Sequence, residues 1–188
     1  FALEGENLLV TDNIAKYYSI NINSGELNWS KNNTYSFNSE IKKHKNRIFV
    51  VDYKNTLRSY NINDGSECWN LQTEDSFTIS NTKFSLIIIN DMVVFSNSIG
   101  DITAVDIKTG LIIWQLPTQS SKMINETYNF KTSKLVSDGK SIFFSNNKNE
   151  FYSVDAKTGT TNWINEINSN LTPIISGNFL FTVSNEGY

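Results

Sequence analysis

Short, dense apolar runs punctuate the chain: Leu8-Leu9-Val10, Ile48-Phe49-Val50-Val51, Met92-Val93-Val94-Phe95 and Ile142-Phe143-Phe144. They are rich in β-branched and aromatic residues and are bounded by Asn, Asp, Gly and Lys, the pattern of strands buried on both faces. The segment after each run alternates instead, as in Thr103, Val105 and Ile107 against Ala104 and Asp106, which is the period of two of a strand with two unlike faces. Asp106-Ile107-Lys108-Thr109-Gly110 then predicts a turn, because Asp and Thr side chains can accept from or donate to nearby backbone and Gly supplies a positive φ. A short strand carrying a tryptophan follows. Weaker apolar segments precede the dense runs (Lys83 to Ile89, Lys131 to Val136, Pro173 to Ile175), giving four strands to each unit. No stretch carries helical periodicity with caps over the roughly 10 residues a helix needs.

The units repeat in register. Trp29, Trp69, Trp114 and Trp163 stand 40, 45 and 49 residues apart, and each has a glycine four positions earlier: Gly25, Gly65, Gly110 and Gly159. Four positions before the glycines lie Asn21, Asn61, Asp106 and Asp155, and two before those lie the small residues Ser19, Ser59, Ala104 and Ser153. Four strands in about 45 residues fit one blade of a β-propeller. The expected fold is therefore all-β, a propeller of four-stranded antiparallel blades. Residues 1–188 are expected to form a single partial propeller domain, with blades at about 1–32, 33–75, 76–128 and 129–170 and a fifth beginning at 171–188. The stretch from Leu116 to Asn129 reads as irregular. An open arc would leave unpaired edges that natural proteins avoid, so the chain is expected to be a fragment of a seven- or eight-bladed propeller; eight blades would need roughly 360 residues.

The recurring tryptophan reads as architecture. A planar indole on the outer strand can lie against the next blade where the facing residue is small, the role expected of Ser19, Ser59, Ala104 and Ser153. Burying an aromatic of about 150–250 Å² at each joint is worth a few kcal/mol. A ligand site would not recur once per blade. Asp106 and Asp155 share their position with Asn21 and Asn61, and Asn can cap a turn but cannot act as a general base.

Composition narrows the function further. Hydrophobic residues make up 39% and aromatic ones 13%, which excludes a disordered acidic tail. A net charge of −3 supplies no positive field to hold nucleic acid. No apolar stretch approaches the roughly 20 residues of a transmembrane helix. The single histidine, His44, lies in the basic run Ile41 to Arg47 and lacks the partners of a histidine metal site; a solvated hairpin loop is the expected reading. Cys68 alone can form neither an internal disulfide nor a multi-cysteine metal site, and it occupies the slot of Asn28, Ile113 and Asn162 as a filler. Asn28, Asn32, Asn125 and Asn170 begin glycosylation-type triplets, which an Asn- and Ser-rich chain produces by accident. Neither a phosphate-binding glycine loop nor a nucleophile elbow is present. No residue is assigned a catalytic, cofactor-binding or metal-binding role.

The run from Ala104 to Trp114 resembles the tryptophan-docking motif of the pyrroloquinoline-quinone-like propeller family. Ser153 to Trp163 is similar, and Ser19 to Trp29 and Ser59 to Trp69 are looser versions with Asn at the acidic position. The resemblance covers nearly the whole chain and implies one of two branches. The first is a non-enzymatic scaffold of the BamB type, a periplasmic lipoprotein of outer-membrane assembly. It implies protein partners, among them the assembly machinery, a periplasmic location, a lipid anchor outside this chain and no cofactor. The second is a quinone-dependent dehydrogenase. Such enzymes carry a vicinal disulfide and calcium ligands; one cysteine cannot supply the former, and no carboxylate is marked by spacing for the latter. The scaffold is the leading expectation, the dehydrogenase the alternative, and a propeller ligand sensor a third.

Overall fold

The structure is a computed structural model of the 188-residue chain and describes residues 1–74, 83–118, 132–146 and 148–187. Among these residues there is no helix, and eighteen strands run in chain order. Backbone contacts divide the chain into two compact units, Phe1–Asp75 and Ser76–Tyr188.

The first unit holds two antiparallel four-stranded sheets. One orders β1 (Ala2–Glu4), β2 (Asn7–Thr11), β3 (Lys16–Asn21) and β4 (Leu27–Asn32); the other orders β5 (Lys42–His44), β6 (Arg47–Val51), β7 (Thr56–Asn61) and β8 (Glu67–Gln72). Every connection joins neighbouring strands, so each sheet is a meander. Between the sheets lie Leu9, Tyr17, Ile41, Ile48, Val50, Tyr60 and Ile62, with Trp29 and Phe37 packed against them. Tyr17 is central: its ring lies 4.4 Å from that of Tyr60 and edge-on to Trp29 and Phe37. Its hydroxyl donates to the Gly65 carbonyl of the second sheet at 3.0 Å. Burial, with Glu67 nearby, raises the pKa of that hydroxyl.

The second unit repeats the plan with β9 (Leu86–Ile89), β10 (Met92–Ser96), β11 (Ile102–Asp106) and β12 (Ile112–Leu116), then β13 (Val136–Ser137), β14 (Ser141–Asn146), β15 (Glu150–Asp155) and β16 (Thr161–Asn165). A two-stranded sheet, β17 (Ile174–Ser176) with β18 (Phe179–Phe181), follows. The unit's core joins Ile89, Val94, Ile102, Ala104 and Trp114 to Leu135, Ile142, Phe144, Tyr152, Val154 and Ala156.

The dense apolar runs become the second strands β2, β6, β10 and β14, and those of the middle sheets are buried almost throughout. The first strands β9 and β13 are shorter than the apolar segments that predict them. Before β9 the chain is tied by Ser85, whose amide donates to Ser96 Oγ and whose Oγ accepts from the Leu135 amide of the next sheet. Ser39 and Ser133 make similar ties to the amides of Val51 and Ser145. A serine competing for backbone groups holds these residues as straps instead of extending the ladder. The basic run around His44 is no free loop either, because Lys42–His44 and Arg47–Val51 are the paired strands of a hairpin that turns at Lys45, φ 51°. Leu116 closes β12; the predicted irregular stretch beyond Thr118 and the triplet at Asn125 lie outside the described residues.

Candidate functional site: the tryptophan joints

Each four-stranded sheet ends its third strand in the same turn. Asn21, Asn61, Asp106 and Asp155 accept from the amide four residues on, that of Gly25, Gly65, Gly110 and Gly159, at 2.9–3.0 Å. Their own amides donate to the carbonyls of Glu26, Ser66, Leu111 and Thr160. Side chains complete the turn. Asp106 Oδ1 accepts from the amides of Lys108 and Thr109 and from Thr109 Oγ1, and Asp155 treats Lys157 and Thr158 alike. The Thr109 and Thr158 groups hold these two carboxyls below the usual aspartate range. Asn21 accepts from Asn23 and Ser24 in the same manner without a charge, so the turn requires an acceptor and not an ion. The closing glycine has φ of 68–75° in all four turns, the left-handed region that a Cβ disfavours.

The glycine also does something the sequence reading assigned elsewhere. A Cβ on Gly65 would lie 2.7 Å from Trp29 Cε3, and one on Gly159 would lie 2.6 Å from Trp114 Cδ2. The indole of one sheet therefore lies flat on the bare turn of the next. The joint is closed by a hydrogen bond: Trp29 Nε1 donates to the Ile62 carbonyl and Trp114 Nε1 to the Ala156 carbonyl, both at 3.0 Å. Ile62 and Ala156 each follow the turn's Asn or Asp. Their own amides reach back to Asn46 and Lys140 in the hairpin of their first two strands.

Ser19, Ser59, Ala104 and Ser153 hold one position in the third strands of their sheets. They pair directly across from Trp29, Trp69, Trp114 and Trp163 in the same sheet. At each of these pairs the register shifts, leaving Asn28, Cys68, Ile113 and Asn162 as the extra residue of a β-bulge. Asn28 spans to Asn7 and Ser19, and Asn162 to Ser141 and Ser153, so Ser19 and Ser153 serve as bulge anchors. Cys68 is exposed at its bulge. The remaining tryptophans contact aromatic rings of their own sheets, Trp69 beside Phe49 and Trp163 stacked on Phe151. Trp163 is 39% exposed, against 8% for Trp114.

A second family of turns joins the second and third strands. Asp12, Asp52, Asn97 and Asn146 each accept through Oδ1 from the amides two and four residues on. The fourth residue of each turn, Ala15, Asn55, Gly100 or Asn149, has positive φ. Asp52 has a further role: its Oδ2 accepts from Arg58 Nε at 2.9 Å while Arg58 Nη1 reaches Glu67 at 2.7 Å. Burial opposes the Arg58 charge, yet the hydrogen bonds to Asp52 and Glu67 outweigh it and raise the pKa. The sequence signal, an Asp or Asn three residues before Gly, Asn or Ala, recurs with the period of the tryptophans.

These arrangements are structural. Among the described residues no three His, Cys, Asp or Glu side chains gather where they could hold a metal ion. With one exposed cysteine there is also no vicinal disulfide. The residues present do not fit the quinone and calcium ion held by the dehydrogenases of the resembling family.

Four-stranded meanders, joined within each unit by an indole over a glycine turn, define a β-propeller repeat protein. The chain belongs to the family described as outer membrane protein assembly factor BamB, whose profile matches residues 1–188. The structure of BamB from Moraxella catarrhalis is similar with a TM-score of 0.83 and 16% identity, over 97% of this chain and 56% of that one. The computationally designed Ika8 protein is similar with a TM-score of 0.76 and 14% identity, over 99% of this chain and 55% of the other. A europium-containing methanol dehydrogenase has a TM-score of 0.71 and 12% identity, over 88% of this chain and 41% of its own. The chain thus spans little more than half the length of the similar BamB, and these likenesses establish the fold. No curated protein compared with the chain matches it.

Proposed function

We propose that the chain is part of a non-catalytic propeller scaffold that assists the assembly of β-barrel proteins in the outer membrane, working in the periplasm through protein partners. The observation that carries this reading is the family match over residues 1–188, described as outer membrane protein assembly factor BamB. It is supported by the use of the repeated polar residues in turns, bulges and joints. In this reading residues 1–188 form one partial domain of a seven- or eight-bladed propeller, with a fifth blade begun at 171, and the whole protein carries a lipid anchor outside this chain. The test is retention of the purified full-length protein by purified outer-membrane assembly machinery. Retention supports the proposal; free elution removes its specific content.

A second reading, a portion of a quinone-dependent dehydrogenase, draws on the similarity to the europium-containing methanol dehydrogenase. The intact mass of the mature protein, recorded with lipid and cofactor retained, separates the two. About 360 residues with acyl chains and no quinone favours the scaffold, and a much larger chain retaining one quinone favours the enzyme.

A further inference from the structure

We propose that the edge of β12 takes an added strand, an extended segment of another chain whose side chains alternate between apolar and uncharged polar. The four tryptophan strands end their sheets in the same way, yet they differ in what they expose. Outside its tryptophan β4 carries Leu27, Asn28, Ser30, Lys31 and Asn32, β8 carries Glu67, Cys68, Asn70, Leu71 and Gln72, and β16 carries Thr161, Asn162, Ile164 and Asn165, so that polar side chains are the majority on each. Such polar and charged edges are how proteins discourage further pairing. In β12 three of the four residues beside the tryptophan are aliphatic, Ile112, Ile113 and Leu116, and the fourth is the uncharged Gln115. Leu111, Ile112 and Ile113 are 68%, 47% and 45% exposed. Among the described residues no strand pairs with β12 on the side away from β11.

The chemistry of the edge selects its occupant. Alternate residues of an edge strand turn N–H and C=O away from the sheet, and only another extended backbone satisfies such a row. The ladder is regular from Trp114 to Leu116, opposite Ile102 to Ala104, while the bulge at Ile112 and Ile113 offers aliphatic side chains beside it. Five residues extend for about 17 Å, so an added strand covers far less than the roughly 1,200 Å² of a stable interface between folded proteins. The occupant is therefore a single extended segment held briefly, not a second folded copy. This inference deepens the scaffold reading and rests on it for its biological sense, because unfolded barrel strands have this alternating character.

The probe is a fluorescein-labelled eight-residue peptide alternating Val or Phe with Thr or Gln, titrated with the full chain and followed by anisotropy. The expected result is saturable binding that is lost when each Thr is replaced by Pro, which removes the backbone donor. Ile113→Lys should weaken binding roughly tenfold or more at an unchanged far-ultraviolet spectrum, and Leu27→Lys on β4 should leave it unchanged. If Ile113→Lys does not fold, Leu111→Lys takes its place. Absence of binding to the unaltered chain overturns the proposal, as does equal binding of the proline peptide, an unaffected β12 variant, or equal loss in the β4 variant. Retention by assembly machinery is a separate readout: it can fail while the edge binds peptide, and the reverse.

Discussion

Gly65→Ala, set against Gly25→Ala, measures what a tryptophan joint is worth. Both glycines close the same turn in the same unit, at φ of 68° and 73°. Each substitution therefore carries a similar left-handed backbone cost, about 1–2 kcal/mol. Only Gly65 has a neighbour. Its new Cβ would lie 2.7 Å from both Cε3 and Cζ3 of Trp29, whereas the Cβ at Gly25 meets nothing within 4 Å. The ring cannot slide freely, because Tyr17 meets it edge-on and its Nε1 is bonded to the Ile62 carbonyl. Overpacking of this kind costs about 1–3 kcal/mol, and a lost indole hydrogen bond adds about 1 kcal/mol. Gly65→Ala should thus be about 2–4 kcal/mol more destabilising than Gly25→Ala. Urea denaturation followed by tryptophan fluorescence and circular dichroism gives both values. A difference below about 0.5 kcal/mol, the scatter of unrelated surface changes, would refute the idea that the bare turn is the seat of the indole.

The hydrogen bond of the joint is separable from its packing: Trp114→Phe should cost about 1–3 kcal/mol by leaving the Ala156 carbonyl unpaired, while Trp163→Phe, at a more exposed position, should cost under about 1 kcal/mol by the same assay. Arg58→Ala strands the fully buried Asp52 carboxylate and should cost about 3–5 kcal/mol in urea denaturation. The turn aspartates set an acid response. Asp106 has a folded pKa below its unfolded value near 3.9, so its contribution is present above that pH and is lost as pH falls through the folded value. Asp106→Asn, which copies Asn21, should fold and show a shallower fall in denaturation midpoint below about pH 4.

The strands and their repeat were legible because they are written in side-chain periodicity. Trp29, Gly65 and Asn61 can be lined up with their counterparts by counting. What the indole touches was not legible, because the receiving sheet offers a missing side chain and a carbonyl, and neither is encoded as a residue preference at Ile62 or Ala156. The small residues opposite the tryptophans were legible by their period, but their pairing was not, since period alone does not separate a cross-strand partner from a neighbour in the next sheet. The bulges at Asn28 and Asn162 needed the register, one residue out of step, to be seen. The turns at Asp12, Asp52, Asn97 and Asn146 recur with the same period, but their Asp and Asn are scattered among many others and do not stand out. The pairing of Arg58 with Asp52 and Glu67 exists only once the hairpin is closed.

The joint also bears on how such a protein can grow. The segment from Trp29 to Trp69 carries the turn that receives one indole together with a further tryptophan, and so does the segment from Trp114 to Trp163. Copying either segment inserts a working part without a matching change in its neighbours, since the acceptor is main chain and the seat is an absence. Lengthening by duplication is then limited by how the ends meet, and hardly at all by chemistry at the seams.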